Sequence, residues 1–166
     1  MRIPVLIVLT GLALGATACA TIETPVDPPP VAPVPAPIEN HDWFFQTEDG
    51  DAGLAYGLDE SDDLWLSLSC REGSGRLELI RPVGAGHPLT ISVESGGDTE
   101  TYPAISEPSE LHDGVDLTAQ ARARDPVFQG FRRTGWLAVL GPDYRSVMVP
   151  QPASTPNIER FFAFCG

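Results

Sequence analysis

The chain has 166 residues, of which 10 are basic and 23 acidic, so its net charge is −13, and every basic residue is an arginine. Such an excess of carboxylates excludes a general nucleic-acid or anionic-membrane binder, which needs a basic face to neutralise phosphates. Three cysteines, Cys19, Cys70 and Cys165, leave an odd thiol over if two of them pair.

Residues 1–18 carry one positive charge at Arg2, an apolar run from Ile3 through Leu14, and the small residues Ala16, Thr17 and Ala18 before Cys19. This is the plan of a secretory signal and is short for a membrane span. Its removal takes away Arg2 and no acid, moving the net charge from −13 to −14. Leu14-Gly15-Ala16-Thr17-Ala18-Cys19 resembles the lipobox of bacterial lipoproteins, and the resemblance implies that Cys19 becomes the lipidated first residue of the mature chain. Ala16-Thr17-Ala18 also fits ordinary signal-peptidase cleavage, which would give a soluble periplasmic product. Ala20, rather than Asp, follows the cysteine, and by resemblance to proteobacterial lipoproteins this implies sorting to the periplasmic face of the outer membrane.

From Thr21 to Asn40 the chain is interleaved with Pro25, Pro28, Pro29, Pro30, Pro33, Pro35 and Pro37. Extended polyproline II is expected, making residues 19–40 a tether of roughly 60 Å at full stretch. A single domain of roughly 120 to 125 residues follows over 41–166, large enough to bury a core without a metal or a partner subunit.

Trp43-Phe44-Phe45 reads as an edge strand or docking segment and Leu54-Ala55-Tyr56 as a short strand between glycines. Asp59 to Asp63 turns the chain into Leu64–Cys70, the clearest period-two stretch, with Leu64, Leu66, Leu68 and Cys70 on one face. Arg71 to Gly75 has the composition of a hairpin turn, and Arg76 to Arg81 returns with Leu77 and Leu79 on one face. Pro88 to Ser95 alternates through Leu89, Ile91 and Val93, then turns at Gly96-Gly97-Asp98 into Thr99 to Tyr102. The pattern is that of an antiparallel meander. A loop through Pro103 and Pro108 is expected before a strand from Val115 to Ala121.

Asp125-Pro126 opens a short helix by a cap and a first-turn proline, with Val127, Phe128 and Phe131 on its apolar face, Arg132 and Arg133 at its C-terminal dipole and Gly135 as its stop. Trp136 to Leu140 and Ser146 to Val149 are two more strands around Gly141-Pro142-Asp143. Thr155-Pro156 repeats the cap-and-proline signal for a terminal helix whose Ile158, Phe161, Phe162 and Cys165 share a face. The fold class is therefore mainly β, an antiparallel β-sandwich or small barrel with two short helices, the last at the C-terminus. With Cys19 closing the leader, Cys70 and Cys165 are left to pair as a disulfide in an oxidising compartment.

Catalytic chemistry finds little purchase. Gly73-Ser74-Gly75 lacks the strand-to-helix setting of a nucleophile elbow, and Gly84-Ala85-Gly86-His87 fails the dinucleotide fingerprint. His41, His87 and His112 stand apart without metal-ligand spacing, so no metal or other cofactor is expected. The acidic turns Glu48 to Asp51 and Asp59 to Asp63 do not match the EF-hand loop, and solvated turns are the simpler reading than calcium sites. Four arginines, Arg122, Arg124, Arg132 and Arg133, crowd into a short stretch. They form either a local anion patch, for a lipopolysaccharide phosphate or an acidic partner, or a set of ion pairs with neighbouring carboxylates.

The landmarks Trp43 through Gly57, Leu64 to Cys70, Asp125-Pro126 and Ile158-Glu159-Arg160 with Cys165 resemble a group of uncharacterised alphaproteobacterial periplasmic lipoproteins. The cysteine layout, the leader and the β content also resemble the membrane-bound inhibitors of c-type lysozyme. The expectation is a non-enzymatic lipoprotein, held at the outer membrane by its lipid and acting as a binding or structural module with an envelope protein as possible partner and no nucleic acid. The alternative is an inhibitor of a lysozyme or protease, where an acidic surface steers toward a basic enzyme.

Overall fold

A computed structural model describes residues 35–59 and 61–166. The signal segment, Cys19 and most of the tether lie outside the described residues. The described part is a nearly closed antiparallel barrel of nine strands with two helices, which settles the sequence alternatives in favour of a barrel.

The strands are β1 (His41–Glu48), β2 (Asp51–Leu58), β3 (Leu64–Arg71), β4 (Arg76–Val83), β5 (Thr90–Ser95), β6 (Asp98–Pro108) and β7 (Val115–Arg122), then β8 (Leu137–Leu140) and β9 (Arg145–Met148); α1 (Pro126–Thr134) separates β7 from β8, and α2 (Thr155–Cys165) closes the chain. Their spatial order is β1-β2-β3-β4-β7-β6-β5-β8-β9. The expected meander holds only through β4. There the neighbour is β7 rather than β5, paired from Arg76↔Arg122 to Val83↔Val115.

The stretch expected to be a loop through Pro103 and Pro108 is instead the second half of β6. Asp98 to Pro103 pairs with β5 and Ala104 to Pro108 with β7, so the strand changes partner at Pro103. A proline, lacking an N–H, suits the point where one ladder is abandoned for another. The β1–β2 hairpin turns through Asp49 and Gly50, both at positive φ (47° and 86°), the geometry of a tight two-residue turn.

Alternation builds the core. Leu66, Leu68 and Cys70 of β3 are buried, as are Leu77 and Leu79 of β4, Ile91 and Val93 of β5, and Leu117 and Ala119 of β7. The inner face is covered by helix side chains in i, i+3, i+4 spacing: Phe128 and Phe131 of α1, and Ile158, Phe161, Phe162 and Cys165 of α2. Their rings meet Trp43, which lies 5.0 Å from Phe131, with Phe131 in turn 6.0 Å from Phe162. Each fully buried phenylalanine contributes about 1.5–3 kcal/mol, so the four rings fix both helices far more firmly than helix propensity does.

Asp125 stands at the N-cap of α1 as the sequence places it, whereas α2 starts one residue earlier than expected, at Thr155. Asp125 makes no side-chain cap bond, its Oδ2 instead accepting from the backbone N–H of Arg122 (2.9 Å). The cap of α2 is Ser154 rather than Thr155, and its hydroxyl donates to Asp42. That bond belongs to the barrel seam, where Asp42 also accepts from Gln151 N–H (2.9 Å) and Asn157 donates to the Trp43 carbonyl (3.0 Å). Side chains thus complete what backbone pairing leaves open between β1 and the segment after β9. Gly135 ends α1 in the left-handed conformation, as expected.

Candidate anion-binding site

The end of the barrel at the β3–β4 turn is fixed by a disulfide and by backbone hydrogen bonds. Cys70, next to last in β3, is bridged to Cys165, the last residue of α2, across a sequence separation of 95 with Cα atoms 5.7 Å apart. Two C-terminal carbonyls of α2, which have no partner within the helix, find donors in the turn: Gly73 N–H donates to Phe164 O (2.9 Å) and Gly75 N–H to Cys165 O (2.8 Å). Ala123 N–H donates back to Gly75 O (3.1 Å), binding in the β7–α1 link. Three segments remote in sequence are thereby locked together.

That lock positions three arginines. Arg76 opens β4, Arg122 closes β7 directly opposite it, and Arg124 follows in the link. With Ser74, Gly75 and Gly166 they line an open hollow of about 410 Å³. Among the described residues, no carboxylate oxygen lies within 4.0 Å of their guanidinium nitrogens. Like charges directly opposite across a strand pair destabilise the sheet, and among the described residues no ion pair offsets this one. Each guanidinium offers a planar fork of donors suited to a phosphate or carboxylate.

Asp125, which borders a neighbouring depression with Arg76 and Arg122, is already committed. Asp125 Oδ2, besides accepting from Arg122 N–H, lies 3.0 Å from the Tyr102 hydroxyl. Tyr102 also reaches Glu100; burial first, and then these two carboxylates, push its phenol well above the ordinary tyrosine range.

The four arginines clustered in sequence are not one patch. Arg122 and Arg124 share the hollow. Arg132 instead binds Glu159 of α2 through two bonds, 2.6 and 3.1 Å, and lies over the Phe162 ring, so it joins the two helices. Arg133 lies beside Gly96 of the β5–β6 turn. Arg76 was missed by inspection of the sequence, because only the β4–β7 pairing brings it opposite Arg122.

The histidines remain apart. His41 Nδ1 lies 3.0 Å from Glu39 O, His87 Nε2 3.2 Å from the Tyr144 hydroxyl, and His112 Nε2 3.2 Å from Asp116 Oδ1. Among the described residues, no group of three His, Cys, Asp or Glu side chains is placed to hold a metal ion. Of the acidic turns, the first is the tight β1–β2 hairpin, with Asp51 facing Arg71 at 3.6 Å.

The chain matches no protein-family model, no curated protein and no solved structure. Function therefore rests on the chemistry of the site. Among the described residues no helix is long and apolar enough to cross a membrane, and a disulfide spanning most of the barrel is of the kind that persists in extracytoplasmic compartments.

Proposed function

We propose that this is an exported, non-enzymatic lipoprotein of the outer membrane, a binding module whose Arg76, Arg122 and Arg124 take a phosphate or carboxylate group of the cell envelope. The observation that carries the reading is the trio of arginines without a carboxylate partner among the described residues, held at the disulfide-bridged end of an otherwise acidic protein. Guanidinium groups bind anions but neither give nor take protons at neutral pH, so the site is built for recognition rather than turnover. The arginine end lies opposite the end at which the chain joins the barrel, where Ile38 O accepts from His41 N–H and from Gln151 Nε2. A tether arriving there leaves the arginines free to face away from the anchoring membrane.

Co-sedimentation tests this with two sources of anion, peptidoglycan sacculi with their stem carboxylates and lipopolysaccharide micelles with their phosphates. The wild-type protein is expected in the pellet with at least one of them, in a salt-dependent manner. The Arg76→Gln/Arg122→Gln/Arg124→Gln variant is expected to stay in the supernatant while melting no lower. Equal pelleting of both proteins would remove the site from the reading.

The bridge between an early strand and the terminal helix supports a second reading, since that cysteine layout resembles the membrane-bound lysozyme inhibitors. Unchanged c-type lysozyme turnover at excess protein would dispose of it.

A further inference from the structure

The alternation that buries Leu77 and Leu79 continues to Arg81, which sits on the same face of β4 and is only 4% exposed. Its partners are neutral. Nη1 donates to Leu140 O (3.4 Å), Nη2 to the Tyr144 hydroxyl, and the guanidinium carbon lies 5.4 Å from the Tyr144 ring centre. Among the described residues no carboxylate comes within 4.0 Å of it, and the rest of its five N–H donors make no hydrogen bond to them. A buried cation without a counter-ion carries a desolvation penalty of several kcal/mol, and proteins ordinarily pair such groups.

Arg81 lines a cleft of about 520 Å³, within the ~300–1,000 Å³ range of small-molecule sites. The cleft opens where β3 and β4 part. Their ladder covers only Ser67–Ser69 against Glu78–Ile80, leaving Leu64 to Leu66 and Arg81 to Val83 unpaired with each other. Trp65 forms one wall, and Leu111, 69% exposed, stands at the mouth. Asp62, Asp63 and Asp113, all exposed, also line it.

A simple anion would meet these aspartates before reaching Arg81, and a simple cation would meet Arg81 inside. A ligand with a positive end at the rim and a negative end within satisfies both. We propose that this cleft binds a short zwitterionic peptide in extended form, its terminal carboxylate on Arg81 and its terminal ammonium among Asp62, Asp63 and Asp113. The carboxylate supplies the missing counter-ion, bidentate geometry favours it over a neutral acceptor, and the parted strand edges offer main-chain groups to an extended backbone. The site is separate from the arginine hollow and does not depend on it.

The test titrates the exported full-length protein with trialanine, N-acetyl-trialanine and trialanine amide, reading the Trp65 indole and the Leu111 and Asp113 amides by NMR. Trialanine is expected to shift these signals saturably, and each blocked form to bind about tenfold or more weakly, the loss of one charged contact at about 1.4 kcal/mol or more. Arg81→Met, of similar volume, is expected to keep the fold and lose the binding. The Arg76→Gln/Arg122→Gln/Arg124→Gln variant is expected to bind trialanine as the wild type does. Absence of a saturable shift, or blocked peptides that bind as well as trialanine, would overturn the proposal. Should Arg81→Met not fold, the blocked peptides alone decide.

Discussion

Gly130 occupies the middle of α1, where glycine ordinarily costs about 0.5–1 kcal/mol relative to alanine. It is buried there because α1 lies almost on the backbone of β5: a Cβ at Gly130 would stand 2.6 Å from Ser95 O. Gly130→Ala should therefore lower stability, by about 1–3 kcal/mol on overpacking grounds, instead of raising it as a helix-propensity argument would have it. Chemical denaturation of the variant gives the sign directly. Residues of this kind mark where the sequence is hard to read. The helix, its apolar face and its Gly135 stop are legible from local pattern, whereas the close approach behind Gly130 is a property of a partner strand remote in sequence. Asp125 is the same lesson: its place before Pro126 is local information, but its carboxylate is taken by Arg122 N–H and Tyr102.

At the scale of elements, β6 and α2 decide the architecture. The β6 strand hands over from β5 to β7 at Pro103, and the sequence signal there, two prolines in a short stretch, reads as a loop because proline's usual meaning is local interruption. Next to the handover, Tyr102 stacks 6.1 Å from Phe128 and points its hydroxyl at Asp125 and Glu100, fastening α1 to the sheet. Its raised pKa fixes a sign. Below about pH 10 both folded and unfolded chains hold the phenolic proton and the contribution is fully present; above it the unfolded chain releases the proton first and stability falls with rising pH. Tyr56, also raised chiefly by burial, acts in the same direction. The denaturation midpoint should thus drop between about pH 9 and about pH 11, and Tyr102→Phe should reduce that drop. An equal drop in the variant would dissociate Tyr102 from it.

The bond from α2 to β3 is the other decisive element, and it was legible once Cys19 was assigned to the leader, which left Cys70 and Cys165 to each other. Closing a loop of 95 residues stabilises by about 4–5 kcal/mol in the chain-entropy model, comparable to a small domain's whole stability. Cys165→Ser should melt far below wild type. The Gly73 and Gly75 N–H groups, which donate to two carbonyls of α2, should then lose their protection, visible as faster amide exchange at those two glycines. A variant that exchanges and melts like wild type would show that packing of Phe161 and Phe162 holds the helix unaided.

Across the whole molecule, the mainly β class and the two helices follow from period-two alternation and helix-start signals, because each is encoded within a few neighbouring residues, whereas the choice of a barrel over a sandwich is not. The strand order does not follow in this way. Nothing inside Arg76–Val83 or Val115–Arg122 announces that these two strands pair, and that pairing separates the arginines of the hollow from Arg132, which is taken up in an ion pair. Sequence clustering placed Arg122 and Arg124 with Arg132 and Arg133; the fold gives Arg132 to Glu159 and brings in Arg76 instead. Recognition of an anion at that end is the central claim for this protein. Titration of the protein with inorganic phosphate, followed by backbone NMR, tests it most directly. The expected result is a saturable shift confined to the amides of Gly75, Arg76, Arg122 and Arg124 and abolished in the triple glutamine variant, whereas shifts elsewhere alone, or none, would contradict it.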